Sequence, residues 1–207
     1  MGSEMCIRDR SGTLPITPKF QSLQIQSVQP SLTVRTISGR RQARQIGGQL
    51  WRMSVQYPPM TRAEFQPILA FLISQRGAYD TFQVRPTVLE DTSGSGSGSP
   101  TVNGASQTGR TVTTDNWPNS TTVMKAGDFV KFAGHTKIYM LTGDVTSDGS
   151  GNASLTIEPA LITSPADNEG VTYNDIPFTV SLDSDITEFS ARSNGFYNYS
   201  VDFVEAF

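Results

Sequence analysis

The segment QLWRMSVQY (49–57) alternates strictly, with Trp51, Met53, Val55 and Tyr57 on one face and Arg52, Ser54 and Gln56 on the other. The chain closes on GFYNYSVDFVEAF (195–207), where Tyr197, Tyr199, Val201 and Phe203 oppose Asn198, Ser200 and Asp202. A period of two marks a strand that is covered on one side and wet on the other. Strands matched in length and aromatic loading, at distant points of one chain, fit best as parts of a single sheet. Whatever lies between them must then leave that sheet and return to it.

A helix directly after the first of these strands supplies the cover. Pro58 and Pro59 end the strand, and Thr61 and Glu64 have the spacing of a capping box. Met60 and Phe65 occupy the two positions of a hydrophobic staple. Phe65, Ile68, Leu69, Leu72 and Ile73 make one apolar stripe, and Gly77 supplies a left-handed stop. Pro67 lacks the donor that would reach Ala63, which predicts a kink or a short first turn. Upstream, LQIQSV and SLTVRTI read as strands, with Leu23 and Ile25 on one face of the first. In the second, Leu32, Val34 and Thr36 share a face, and turn residues follow at Ser38 and Gly39.

TSGSGSGSP (92–100) reads as a flexible joint. Beyond it the texture changes to short, closely spaced strands, with Asp148-Gly149 as a hairpin signal. The fold expected is mostly β: a β-sandwich-like core with one packed α-helix, interrupted by an inserted small β-barrel or sandwich domain. The core takes residues 11–92 and 184–207 and the insert 93–183. The leading MGSEMCIRDR is spelled through residue 9 by codons of a transposase-derived sequencing adapter. Residues 1–10 are therefore expected to be a non-native scar, with the natural sequence starting at or upstream of Ser11.

Composition narrows the function classes. The only cysteine, Cys6, lies in that scar, which leaves no disulfide and no cysteine–zinc site. No apolar run is long enough for a bilayer, so no membrane insertion is expected. The net charge of −3 hides an asymmetry. Residues 11–63 carry seven bases and no acid, whereas residues 144–207 carry eleven acids and one base, Arg192. Such a start raises nucleic acid as a partner, but no aromatics interleave with Arg35, Arg40, Arg41 and Arg44, so base stacking has little support. The asymmetry points instead to strands from the two ends pairing in one sheet, or to copies stacking head to tail.

No catalytic constellation emerges. His135 is the only histidine and sits in a turn. Gly127 and Gly134 bracket a run without the Lys-Ser/Thr of a phosphate loop. Asp144, Asp148 and Asn152 lack the alternating carboxylates and distal Glu of a calcium loop. Glu90–Asp91 and Asp183–Asp185 read as solvated loop acids. No cofactor is implied.

Taken together, the run QLWRMSVQYPPMTRAEFQPILAFLISQRGAYDTFQV (49–84), the β-rich block at 102–161 and the closing strand resemble a phage minor tail protein of the distal-tail or tail-tip type. That resemblance implies a structural role. Subunits would form a ring joining the tail tube to the host-recognition apparatus, with tube, hub and fibre proteins as partners. The protein would be made in the bacterial cytoplasm and reside in the virion. The expected subunit contact sets Arg40, Arg41 and Arg44 against Asp183, Asp185 and Glu188 of a neighbour. The competing class is a carbohydrate-binding module acting on host-surface glycan, with Trp117 as the candidate contact and Phe129, Phe132 and Tyr139 beside it. A tail-associated hydrolase lacks any nucleophile–base pair.

Overall fold

The computed structural model describes residues 12–86, 89, 91–191 and 195–207. Residues 1–10, expected above to be a scar, and Glu90 lie outside the described residues. The chain begins with β1 (Ser22–Val28), β2 (Ser31–Arg35), β3 (Arg41–Gln45), β4 (Leu50–Gln56), α1 (Arg62–Ser74) and β5 (Phe82–Val84). Eight strands follow: β6 (Thr101–Val102), β7 (Thr111–Asp115), β8 (Thr122–Met124), β9 (Phe129–Phe132), β10 (Tyr139–Leu141), β11 (Val145–Thr146), β12 (Ala153–Glu158) and β13 (Val171–Thr172). It ends with β14 (Phe178–Leu182), β15 (Ser190–Ala191), β16 (Tyr197–Asn198) and β17 (Ser200–Glu205). The fold is mostly β with one packed helix.

The two matched strands are neighbours. A five-stranded antiparallel sheet has the order β1-β4-β17-β14-β5, with Val55 opposite Val201 and Met53 opposite Phe203. Their shared face packs on Phe65, Ile68 and Leu72 of α1 in one cluster. FTVSL, counted above within the insert, is β14 of this sheet, bonded between β17 and β5. The chain thus returns to the sheet before Phe178 rather than after Asp183. Its alternation suits a strand in either sheet, and only the pairing partner distinguishes them.

Strands β6, β7, β9, β10, β12 and β13 form the second sheet, in the order β13-β9-β10-β12-β7-β6. Its edges nearly meet: Thr101 bridges Gly170, and Val102 N donates to Glu169 O at 2.9 Å. The result is a small, almost closed barrel. Its inward residues, among them Val112, Phe132, Leu141, Leu155 and Ile157, make a second core. Near-closure leaves little unpaired edge for aggregation.

Helix punctuation is mostly as its residues dictate. The Glu64 carboxylate accepts from Thr61 N at 2.8 Å and from Thr61 Oγ1 at 2.7 Å, and both bonds hold it below its ordinary pKa. The helix runs on through Pro67. Of the stripe, Phe65, Ile68 and Leu72 are buried and Leu69 is partly covered, whereas Ile73 is exposed. Leu72→Ala is expected to cost about 2–5 kcal/mol in denaturant unfolding, through the cavity it leaves. Leu69→Ala should cost clearly less; equal losses would mean that the stripe's orientation is misread.

The glycine-serine stretch is not a free joint. Ser95 N and Gly96 N donate to Thr122 O and Val123 O, at 3.2 and 3.0 Å. A Cβ on Gly94 would fall 2.3 Å from Val123 O, so glycine is needed here for close approach, not for mobility. Asp128 anchors the start of the stretch, accepting from Thr92 Oγ1, from Ser93 N at 3.0 Å and from Lys125 N at 2.9 Å. Burial raises the Asp128 pKa, but these bonds outweigh it and hold the carboxyl below its ordinary value. The bonded anion therefore stabilises the fold above the ordinary carboxylate range, and this contribution is lost as pH falls through the lowered value. Amide exchange at residues 93–96 is expected to accelerate only below that range, and Asp128→Asn should accelerate it at neutral pH. Unchanged exchange in the variant would remove Asp128 as the anchor.

Candidate assembly surfaces

The hairpin β2–β3 has no core. Every residue of both strands is exposed, Leu32 by 56% and Val34 by 52%, and Ile37 at the tip is fully in solvent. It continues the β1–β4 ribbon past Pro30 and Gly47, with Ile46 N bonded to Pro30 O, and projects beyond the sheet as an arm. At the tip, Gly39 takes φ +80° and donates to Thr36 O. A two-stranded hairpin alone is marginal in water, so an arm of this kind is suited to covering by a partner.

Register divides the arginines. Leu32 lies opposite Arg44 and Val34 opposite Gln42, so Arg40 and Arg44 share the face of Leu32 and Val34. Arg41 lies directly opposite Arg35 on the other face, a like-charge pairing that costs stability unless an acid joins it. No carboxylate of a described residue forms an ion pair with any of the four.

The three acids proposed to meet them differ in their local bonds. Asp183 already faces Arg52 at 3.5 Å. Asp185 Oδ1 accepts from Ala78 N at 3.0 Å, and a Cβ on Gly77 would come within 2.8 Å of the same oxygen. Asp185 is therefore a structural stop for the turn after α1, not a purely solvated loop acid. Glu188 has no hydrogen bond or ion pair among the described residues. It borders a cleft of about 340 Å³ between residues 182–188 and the start of β17, with Asp202 also lining it. Around it Ile186, Phe189 and Phe196 are exposed.

A second cluster joins the barrel to the core sheet. Lys137 Nζ, from the β9–β10 connection, donates to Glu205, to Gln49 O at 2.7 Å and to Gln49 Oε1 at 2.8 Å. Glu205 also accepts from Trp51 N at 3.2 Å and Ile138 N at 3.0 Å, and Trp51 Nε1 donates to Ile138 O at 3.0 Å. The Phe207 ring lies under the ammonium at 4.7 Å. Burial lowers the Lys137 pKa, opposed by the bond to Glu205 and its charge. Sequence reasoning passed over this network, although one signal was present. Glu205 continues the inward parity of Tyr199, Val201 and Phe203, and an acid on an apolar face calls for a buried partner.

The proposed glycan contacts are covered. Trp117 is 4% exposed, packs on Tyr173 and donates its indole N–H to Thr114 Oγ1 at 2.8 Å. Phe132 and Tyr139 lie in the barrel core, and Phe129 packs on Trp51 and Phe178 between the two units. Trp117, Phe132 and Tyr139 are enclosed in the barrel, so none of the three presents a stacking face, and Phe129 is held at the junction with the sheet. His135 lies 3.8 Å from Glu169 in a turn, and Asp148 accepts from Ser150 N and Asn152 N of its own loop.

Residues 81–176, which span the barrel and both of its connections, match the family model described as distal tail protein pb9, B domain. No curated protein matches the chain.

Proposed function

From the match of residues 81–176 to the B domain of a distal tail protein, we propose that this chain is a phage protein of the distal-tail type and a structural subunit of a ring at the end of the tail. There it would join the tail tube to the host-recognition apparatus. Its place is then the virion, after synthesis in the host cytoplasm, and its contacts are copies of itself and the tube, hub and fibre proteins. The role is one of assembly rather than catalysis. No helix among the described residues is long and apolar enough to cross a membrane.

The observation that carries this reading is the arm, with its exposed Leu32, Val34 and Ile37 and with Arg35, Arg40, Arg41 and Arg44 that form no ion pair among the described residues. The acids at 183, 185 and 188 of a neighbouring copy supply the opposite sign. Exposed ion pairs are worth only about 0–1 kcal/mol each, so the apolar residues provide most of the affinity and the charges fix register. Closed symmetry repeats the contact around the ring.

Reversal of Arg40, Arg41 and Arg44 to Glu is expected to turn the oligomer into monomers in sedimentation velocity, with an unchanged melting temperature. A further reversal of Asp183 and Glu188 to Lys should partly restore assembly. Asp185 is left intact in this test because it holds Ala78. An oligomer indifferent to the triple reversal would sink the contact.

A further inference from the structure

We infer that the root of the arm is a hinge held by the barrel, with Gln49 as the positioning residue, so that seating of the barrel on the sheet sets the direction in which the arm points. The device lies within a single copy and goes beyond the ring reading, since it acts whatever surface covers the arm.

The two legs of the arm are unequal where it leaves the sheet. Residues 29 and 30 join β1 to β2, whereas residues 46–49 join β3 to β4. Two residues cannot pair in register with four. Among the described residues a single backbone bond, Ile46 N to Pro30 O at 3.1 Å, crosses this stretch. Such an uneven crossing interrupts the ladder and bends the ribbon, and hinges are built from a few element-terminal residues of this kind. The arm does not fix its own direction, because every residue of its two strands is exposed. Its direction rests on the root.

Gln49 closes that root from both sides, and it is 1% exposed. Its Nε2 donates to Ser27 Oγ at 3.0 Å, which ties the longer leg to the end of β1. Its Oε1 and its main-chain O accept from Lys137 Nζ at 2.8 and 2.7 Å. One buried carboxamide therefore joins both legs to the β9–β10 connection of the barrel. Bonds to a charged donor are the stronger kind. A second tie, from Gln29 Nε2 to Glu158 Oε1 of β12, is exposed and 3.4 Å long, so it contributes less. While Lys137 holds Gln49, the arm points one way. Without those bonds the legs turn about residues 29–30 and 46–49. A partner then meets an arm whose competent direction is populated only in part, and its apparent affinity falls by that fraction.

Double electron–electron resonance on the full chain tests this. One label pair uses Ile37→Cys at the arm's tip and Thr111→Cys on β7 of the barrel. A control pair uses Thr111→Cys and Gln66→Cys on α1. Both carry Cys6→Ser, and all three label sites are exposed. Dilution with unlabelled chain restricts the signal to distances within one copy. The parent chain is expected to give one narrow distance for each pair. Gln49→Met keeps the side chain's size but removes its bonds to Ser27 and Lys137. It should replace the narrow arm-to-barrel peak with a broad distribution and leave the barrel-to-helix peak narrow. An arm-to-barrel peak that is already broad in the parent, or that stays narrow in Gln49→Met, overturns the proposal. Equal broadening of both pairs also overturns it, since the loss then lies in the barrel's seat and not in the root. If Gln49→Met fails to fold, Lys137→Met with Glu205→Leu replaces it. That variant removes the barrel's charged hold on Gln49 and should broaden the arm-to-barrel distance in the same way; an unchanged peak there overturns the proposal.

Discussion

Lys137→Ala is expected to destabilise the folded chain by about 3–5 kcal/mol in denaturant unfolding, because it leaves Glu205 buried without its cation. The Glu205 side chain is fully buried and the Lys137 side chain is 4% exposed. Glu205 would keep only its bonds from Trp51 N and Ile138 N. Glu205→Ala should cost a similar amount, by stranding the ammonium over Phe207 and Gln49. The double replacement Lys137→Met with Glu205→Leu should recover most of the loss, since apolar side chains of similar volume often substitute for a buried pair at little cost. The three unfolding curves therefore separate a buried charge from a general packing defect. If the double variant falls by the sum of the singles, the pair is not coupled. Such a pair also fixes how the barrel sits on the sheet, since its bonds tie the β9–β10 connection to β4 and β17.

Phe65→Ala is expected to cost about 3–5 kcal/mol, with a local consequence that the lysine variant lacks. Phe65 stacks on Tyr197 at 4.8 Å and contacts Tyr199 at 5.5 Å and Phe189 at 5.4 Å. One ring of the helix thus supports the β15–β16 hairpin and the start of β17, the latter lining the cleft. Amide exchange at residues 195–201 should rise in Phe65→Ala beyond the global effect. Phe65→Leu, which keeps most of the volume, should lose much less. A uniform rise in exchange throughout the sheet would show that Phe65 serves only the general core.

The sequence by itself determined the parts whose logic is local. The alternation of Trp51, Met53 and Val55, matched by Tyr199, Val201 and Phe203, required two half-buried strands, and these proved to be direct neighbours. The Thr61–Glu64 cap and the Phe65–Leu72 stripe required the helix, because capping and a 3.6-residue period depend on nearest neighbours in the chain. The turn at Ser38 and Gly39 was local as well, whereas the full exposure of the hairpin around it became visible only in the fold.

Tertiary structure decided what depends on partners distant in sequence. FTVSL alternates as well for the barrel as for the core, and pairing with β5 and β17 placed it in the core. Glycine-serine chemistry is the same in a loose linker and in a close backbone crossing, and only the approach of Val123 made Gly94 the latter. Trp117 resembled a surface aromatic until the barrel closed over it. Asp185 and Glu188 are three residues apart with the same charge, yet one bonds Ala78 and the other borders an open cleft. Burial, register and charge pairing are sums over contacts that the chain makes only after folding. A local pattern can therefore specify an element without specifying what covers it.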